Sequence, residues 1–145
     1  HVTPYRGSGA VLDPERTVPN TDRKNVDFFE NAKAQNFWAM RFRVQATYRA
    51  IQGEPYKVDD IISISSEIPE LNALITEMSQ PTYGLSKAGK ILIEKKPDGS
   101  RSPNLCDCVV QLFAVVKPPM IISPTVLQQS YQPNRGQQSA AALSA

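Results

Sequence analysis

One carboxylate, Asp107, interrupts an otherwise apolar run, with Leu105, Cys106, Cys108, Val109, Val110, Leu112, Phe113, Ala114, Val115 and Val116 around it. An ionised carboxylate among apolar side chains is costly unless a cation or hydrogen-bond donors meet it. Asp107 is therefore the first candidate catalytic residue, and a metal ion is its natural partner. Glu94, Lys95, Lys96 and Arg101 crowd the approach to it. A carboxylate beside a basic rim suits a metal ion facing a phosphodiester. Lys95, Lys96 and Arg101 are accordingly the candidate DNA-binding residues, with Asp107 the candidate metal ligand. Asp59, Asp60 and Glu94 are the other acids within reach of such a role. The competing reading of Asp107 is structural, a carboxylate paired with a buried Arg or capping a neighbouring loop.

Other chemistries find little support. Cys106 and Cys108 resemble a Cys-x-Cys metal site, but residues two apart on a helix point about 200° from each other. They read as small core residues instead. His1 is the only histidine, so no nucleophile–histidine arrangement can be built. No Gly-x-x-x-x-Gly-Lys-Ser/Thr loop occurs, which leaves no nucleotide-driven motor in these residues. Lys33, Arg41, Arg43 and Arg49 offer either a phosphate-contacting face or, the favoured reading, the solvated side of an amphipathic helix.

The elements that position Asp107 follow from pattern. Ser102 is a helix cap and Pro103 a first helical residue. The helix after them is apolar nearly all round, which predicts burial. Residues 27–51 form the longest helical pattern, with Phe37, Met40, Val44, Tyr48 and Ile51 as its apolar stripe and Trp38 and Phe42 widening it. Gly53 and Pro55 end it. Residues 61–64 read as a short strand. A second helix runs from Ser65 or Ser66 to about Met78, with Leu71, Leu74, Ile75 and Met78 inward. Residues 81–85 and 90–94 read as two strands joined by Ser86-Lys-Ala-Gly89. Residues 1–5 look like an edge strand, and 7–25 like a long, functional or mobile loop. Alternating strands and helices predict an α/β fold with a mixed sheet.

The 145 residues and 41% apolar content suit one domain with a real core. The net charge of +2 permits nucleic acid without demanding it. No apolar run approaches the roughly 20 residues that span a bilayer, and no membrane is expected as a partner. No disulfide framework and no signal-peptide pattern is visible, so a reducing cytoplasm is expected. The chain begins at His1 rather than methionine, and a missing upstream part is expected. Residues 118–145, rich in Gln, Ser, Pro and Ala, read as a disordered tail. Residues 1–117 form the folded part.

Three stretches carry a family resemblance. Glu77-Met-Ser-Gln-Pro-Thr-Tyr83, Gly89-Lys-Ile-Leu-Ile-Glu94 and Pro97-Asp-Gly-Ser-Arg-Ser-Pro-Asn-Leu-Cys-Asp107 resemble the C-terminal nuclease region of tailed-bacteriophage terminase large subunits. In that family a lysine-bearing strand, a short loop and a helix opening Ser-Pro-Asp/Asn-x-x-Asp-Ala close the nuclease. Asn31-Ala-Lys-Ala-Gln-Asn-Phe-Trp38 is similar to the family's Asn-x-Lys-Ala-x-x-Trp helix. The resemblance covers residues 1–117. It implies a partial RNase H-like fold and a metal-dependent endonuclease that cuts concatemeric double-stranded DNA with Mg²⁺ or Mn²⁺ in the host bacterial cytoplasm. It places the family's last metal-binding aspartate on Asp107. The first two acidic ligands, and an N-terminal packaging ATPase, would precede His1. The implied partners are double-stranded DNA, the portal protein and the small terminase subunit. The chain on its own is then expected to be inactive. The alternative is a catalytically silent module that binds DNA or a portal protein.

Overall fold

A computed structural model describes residues 5–94 and 102–114 of the chain. In order, its elements are α1 (Asn25–Phe28), α2 (Ala32–Ile51), a 3₁₀ turn (Val58–Asp60), α3 (Leu71–Met78), β1 (Tyr83–Leu85), β2 (Ile91–Ile93) and α4 (Asn104–Leu112). Residues 1–4, 95–101 and 115–145 lie outside the description. With them lie the expected strand at 1–5 apart from Tyr5, and the 117/118 boundary and tail.

The long helical pattern is cut in two. α2 starts at Ala32 because the Asn31 side chain accepts from the Ala34 N–H at 3.0 Å, the usual N-cap bond. The residues just before it are extended. Phe29 forms a parallel bridge with Ile91, and Glu30 N–H donates to the Ile91 carbonyl at 2.9 Å. A strand edge thus wins these residues from the helix. Helix α2 ends as expected, at Gln52, with Gly53 at φ +88°, a conformation that suits glycine.

The sheet is smaller than expected. β1 and β2 pair antiparallel, with Tyr83 opposite Ile93 and Leu85 opposite Ile91. The Phe29 bridge adds one parallel contact on β2, so the mixed sheet exists only in reduced form. Gly89, at φ +71°, makes the turn between them. The Ser86 N–H donates to the Lys90 carbonyl at 2.8 Å, and the Ser86 hydroxyl donates to Glu30 at 2.8 Å. The hairpin is thereby tied to the segment that precedes α2.

No ladder forms at 61–64, where a strand was expected. Side chains of α2 satisfy that backbone instead. The Ile62 N–H donates to the Thr47 hydroxyl at 2.9 Å, and Arg43 donates to the carbonyls of Asp59 and Ile61. Arg43 also lies 5.2 Å over the Phe113 ring. It is a structural clamp rather than a freely solvated charge.

Two apolar clusters flank the first half of α2. Val18, Phe29, Ala34 and Ile91 form one, with Trp38 and Phe42 against it. Met40, Ile62, Cys106 and Val110 form the other, with Phe37 and Met78 against it. The second half of α2 departs from the expected stripe: Val44, Tyr48 and Ile51 are exposed. The 7–25 loop is also unlike its expectation. Val18, within it, is among the most buried residues, and two carboxamides pin the loop. Gln35 accepts from the Leu12 N–H at 2.8 Å and donates to the Leu12 carbonyl at 2.9 Å. Asn25 donates to the carbonyls of Leu12 and Asp13.

Candidate functional site

Helix α4 carries Asp107 in its first turn. It is less apolar in surroundings than in composition. Cys106 and Val110 are buried, while Cys108 and Leu112 are exposed. The core reading therefore holds for Cys106 and fails for Cys108, because one face of this short helix stays in solvent. Ser102 is not the cap. Pro103 occupies that position and makes no side-chain cap. Its place is taken from another element: Glu77 of α3 accepts from the Leu105 N–H at 2.7 Å and the Cys106 N–H at 3.2 Å. Sequence reasoning missed this role, since the two partners lie 28 and 29 residues away.

Asp107 faces the start of α2. Its carboxylate lies 3.9 Å from the Lys33 ammonium, and the two side chains are 33% and 43% exposed. Lys33 also sits 5.3 Å over the Phe37 ring. Its backbone N–H donates to the Gly7 carbonyl at 2.8 Å, and its Cβ leaves 3.3 Å to where a Gly7 side chain would begin. The loop thus fixes the lysine from one side and α4 meets it from the other. Two stretches widely separated in sequence, Asn31–Trp38 and the Asp107 helix, converge at this ion pair.

The remaining acids do not join it. Glu94 accepts from the Thr82 hydroxyl at 2.7 Å and stacks over Gly84, where a Cβ would meet its Oε1 at 2.8 Å. Asp59 and Asp60 belong to the exposed 3₁₀ turn beside Arg43. Burial, then Asp107 and Glu77, push the Cys106 thiol up to about 11, and the side chain packs in the cluster with Met40 and Val110. Among the described residues no group of three or more His, Cys, Asp or Glu is placed to hold a metal ion. Asp107 by itself does not make a metal site. Lys95, Lys96 and Arg101 lie outside the described residues.

Beside the ion pair, α2, α4 and the hairpin enclose a groove of about 380 Å³. Arg41 is one of its lining residues, 4.7 Å over Trp38 and 5.7 Å over Tyr83. These aromatic rings meet edge to face at 5.0 Å, a favourable arrangement. No helix among the described residues is long and apolar enough to cross a membrane.

Taken as a whole, the described fold resembles the nuclease domain of a phage large terminase subunit. Solved structures give that class a particular member. The nuclease domain of the large terminase subunit gp2 of bacterial virus Sf6 is 28% identical, with a TM-score of 0.71 over 78% of this chain and 53% of that one. A lysine-to-alanine variant of that domain, with manganese and beta-thujaplicinol, is 30% identical with a TM-score of 0.70, over 78% of this chain and 53% of that one. The variant with calcium is 30% identical with a TM-score of 0.67, over 77% of this chain and 52% of that one. This chain spans about half the length of these neighbours. No family model matches the chain, and no curated protein does.

Proposed function

We propose that the chain is part of the metal-dependent endonuclease of a phage DNA-packaging terminase, cutting concatemeric double-stranded DNA. The observation that supports this most is the Lys33–Asp107 pair. It joins the two stretches that separately resemble the terminase nuclease region. Two of the structural neighbours, one with calcium and one with manganese, support a divalent metal. In this reading Asp107 is a catalytic carboxylate and contributes one oxygen ligand to Mg²⁺ or Mn²⁺. Such an ion, once bound, activates water and stabilises the leaving oxygen. Lys33, 3.9 Å away, holds the carboxylate in place. Lys95, Lys96 and Arg101 neutralise backbone phosphates of the DNA, without base preference. The portal protein and the small terminase subunit are the proposed partners, and the host cytoplasm the proposed location.

Supercoiled plasmid tests the reading. The full-length protein carrying this chain, given Mn²⁺, converts it to nicked and linear forms, and EDTA stops the conversion. Cleavage that persists in EDTA, or none with Mn²⁺, contradicts the proposal. In the same protein, Lys96→Ala weakens DNA binding at every sequence and lowers the salt slope by about one. An unchanged slope removes Lys96 from the phosphate contacts.

A further inference from the structure

We infer that Glu77 is a positioning residue for Asp107: its carboxylate, reaching across from α3, fixes the first turn of α4 and so the place of the aspartate. The inference rests on the nuclease reading of Asp107 and adds to it a residue with no part in the chemistry itself.

The first N–H groups of any helix lack partners inside the helix. In α4 the capping position is Pro103, whose side chain has no acceptor. Glu77 supplies the acceptor from outside, at 2.7 Å to Leu105 and 3.2 Å to Cys106. These are the second and third residues of the helix, the pair a local Ser or Asp cap ordinarily serves. Asp107 is the next residue. Its own N–H donates to the Pro103 carbonyl at 2.9 Å, so it belongs to the same pinned turn. Packing holds α4 as well, with Cys106 3% and Val110 2% exposed in the cluster with Met40 and Ile62. Losing Glu77 therefore frees the N–H groups of the first turn and leaves the body of the helix docked.

Glu77 is also poorly placed for its own helix. It sits in the last turn of α3, where the helix dipole disfavours a negative charge. At the start of α4 the same dipole favours it. The position makes sense through α4 and not through α3. Asp107 and Lys33 meet at 3.9 Å, and reacting groups tolerate displacement poorly: a misplacement of about 1 Å costs on the order of a hundredfold in rate.

The test uses the full-length protein with Glu77→Ala, Glu77→Gln and Asp107→Asn. The Gln carboxamide keeps an oxygen that can accept from both N–H groups. In Glu77→Ala the plasmid-cleavage kcat falls by about a hundredfold, with the KM for DNA within about twofold of the parent. Amide exchange at Leu105 and Cys106 speeds up by about tenfold or more, as expected for the loss of a bond worth a kcal/mol or two. Exchange at Val110 stays as it was. Glu77→Gln recovers most of both losses. A folded Glu77→Ala protein with parental kcat overturns the inference. So does a Glu77→Gln as impaired as the alanine, since charge rather than the held turn would then matter. Global unfolding of Glu77→Ala also overturns it, because the loss is meant to be confined to one turn. Asp107→Asn separates the two claims. If it cleaves normally, the nuclease reading of Asp107 fails, whereas the exchange at Leu105 and Cys106 still reports whether Glu77 holds the turn.

Discussion

A double-mutant cycle on Lys33 and Asp107 measures whether the two stretches truly meet. The perturbations are Lys33→Met, which keeps the apolar stem, and Asp107→Asn, which keeps the shape. Two unit charges about 4 Å apart interact by about 1 kcal/mol in water and about 4 kcal/mol at an effective dielectric of 20. With the side chains 43% and 33% exposed, solvent screening pulls the value toward the lower figure, and pairs of this kind measure about 0.2–1 kcal/mol. Lys33→Met also gives up the contact over Phe37 at 5.3 Å, about another 0.5–1 kcal/mol. The single variants should therefore differ: about 1–2 kcal/mol for Lys33→Met and under about 1 kcal/mol for Asp107→Asn. The coupling, read from urea unfolding of all four proteins, should be about 0.5–1 kcal/mol in favour of the pair. It should shrink as salt rises from about 0.1 M to about 1 M, where the Debye length falls from about 10 Å to about 3 Å. A coupling of zero at low salt refutes the adjacency of α2 and α4 through charge. A coupling above about 3 kcal/mol refutes the half-exposed geometry and requires a buried pair.

Three further predictions follow from burial. Gln35→Leu should destabilise the protein by about 2–4 kcal/mol, since it breaks two bonds to Leu12 and leaves that N–H without its acceptor; equilibrium unfolding with amide exchange at Leu12 checks it, and a loss under about 0.5 kcal/mol would contradict the pinned loop. Cys108 should react with a maleimide in the native protein while Cys106 waits for unfolding, so equal rates would contradict the packing of α4. The folded Cys106 thiol keeps its proton to about pH 11 against an ordinary 9.0. Its contribution to stability is therefore complete below pH 9 and is lost as pH rises from there toward 11. Cys106→Ala should remove that part of the alkaline slope.

The sequence made the elements more legible than their contacts. The hairpin was readable from Ser86 to Gly89, because a turn and two β-rich runs are local signals. The end of α2 at Gly53 was readable for the same reason. The break before Ala32 was not, although Asn31 is a good cap, because what extends Phe29 and Glu30 is β2, some sixty residues on. The strand expected at 61–64 failed because its backbone bonds go to Thr47 and Arg43, and apolar alternation cannot register a side chain elsewhere. Asp107 stood out as a charge in an apolar run, yet its partner Lys33 looked like one cation among several on a helix face. Ser102 was a plausible cap by type, and Glu77 displaced it from a distance that no local rule spans. The site was thus visible as residue types and hidden as geometry.

Cleavage by Asp107→Asn tests the central claim most directly. The full-length protein and its Asp107→Asn variant are compared on plasmid DNA with Mn²⁺, after thermal unfolding has shown both folded. The substitution removes one charge and keeps the volume, so stability should change by less than about 1 kcal/mol. The account predicts that cleavage falls by at least about a thousandfold, consistent with the loss of several kcal/mol of charge stabilisation by a metal, while DNA binding persists. Cleavage at the parental rate by the folded variant would contradict it and remove Asp107 from the chemistry.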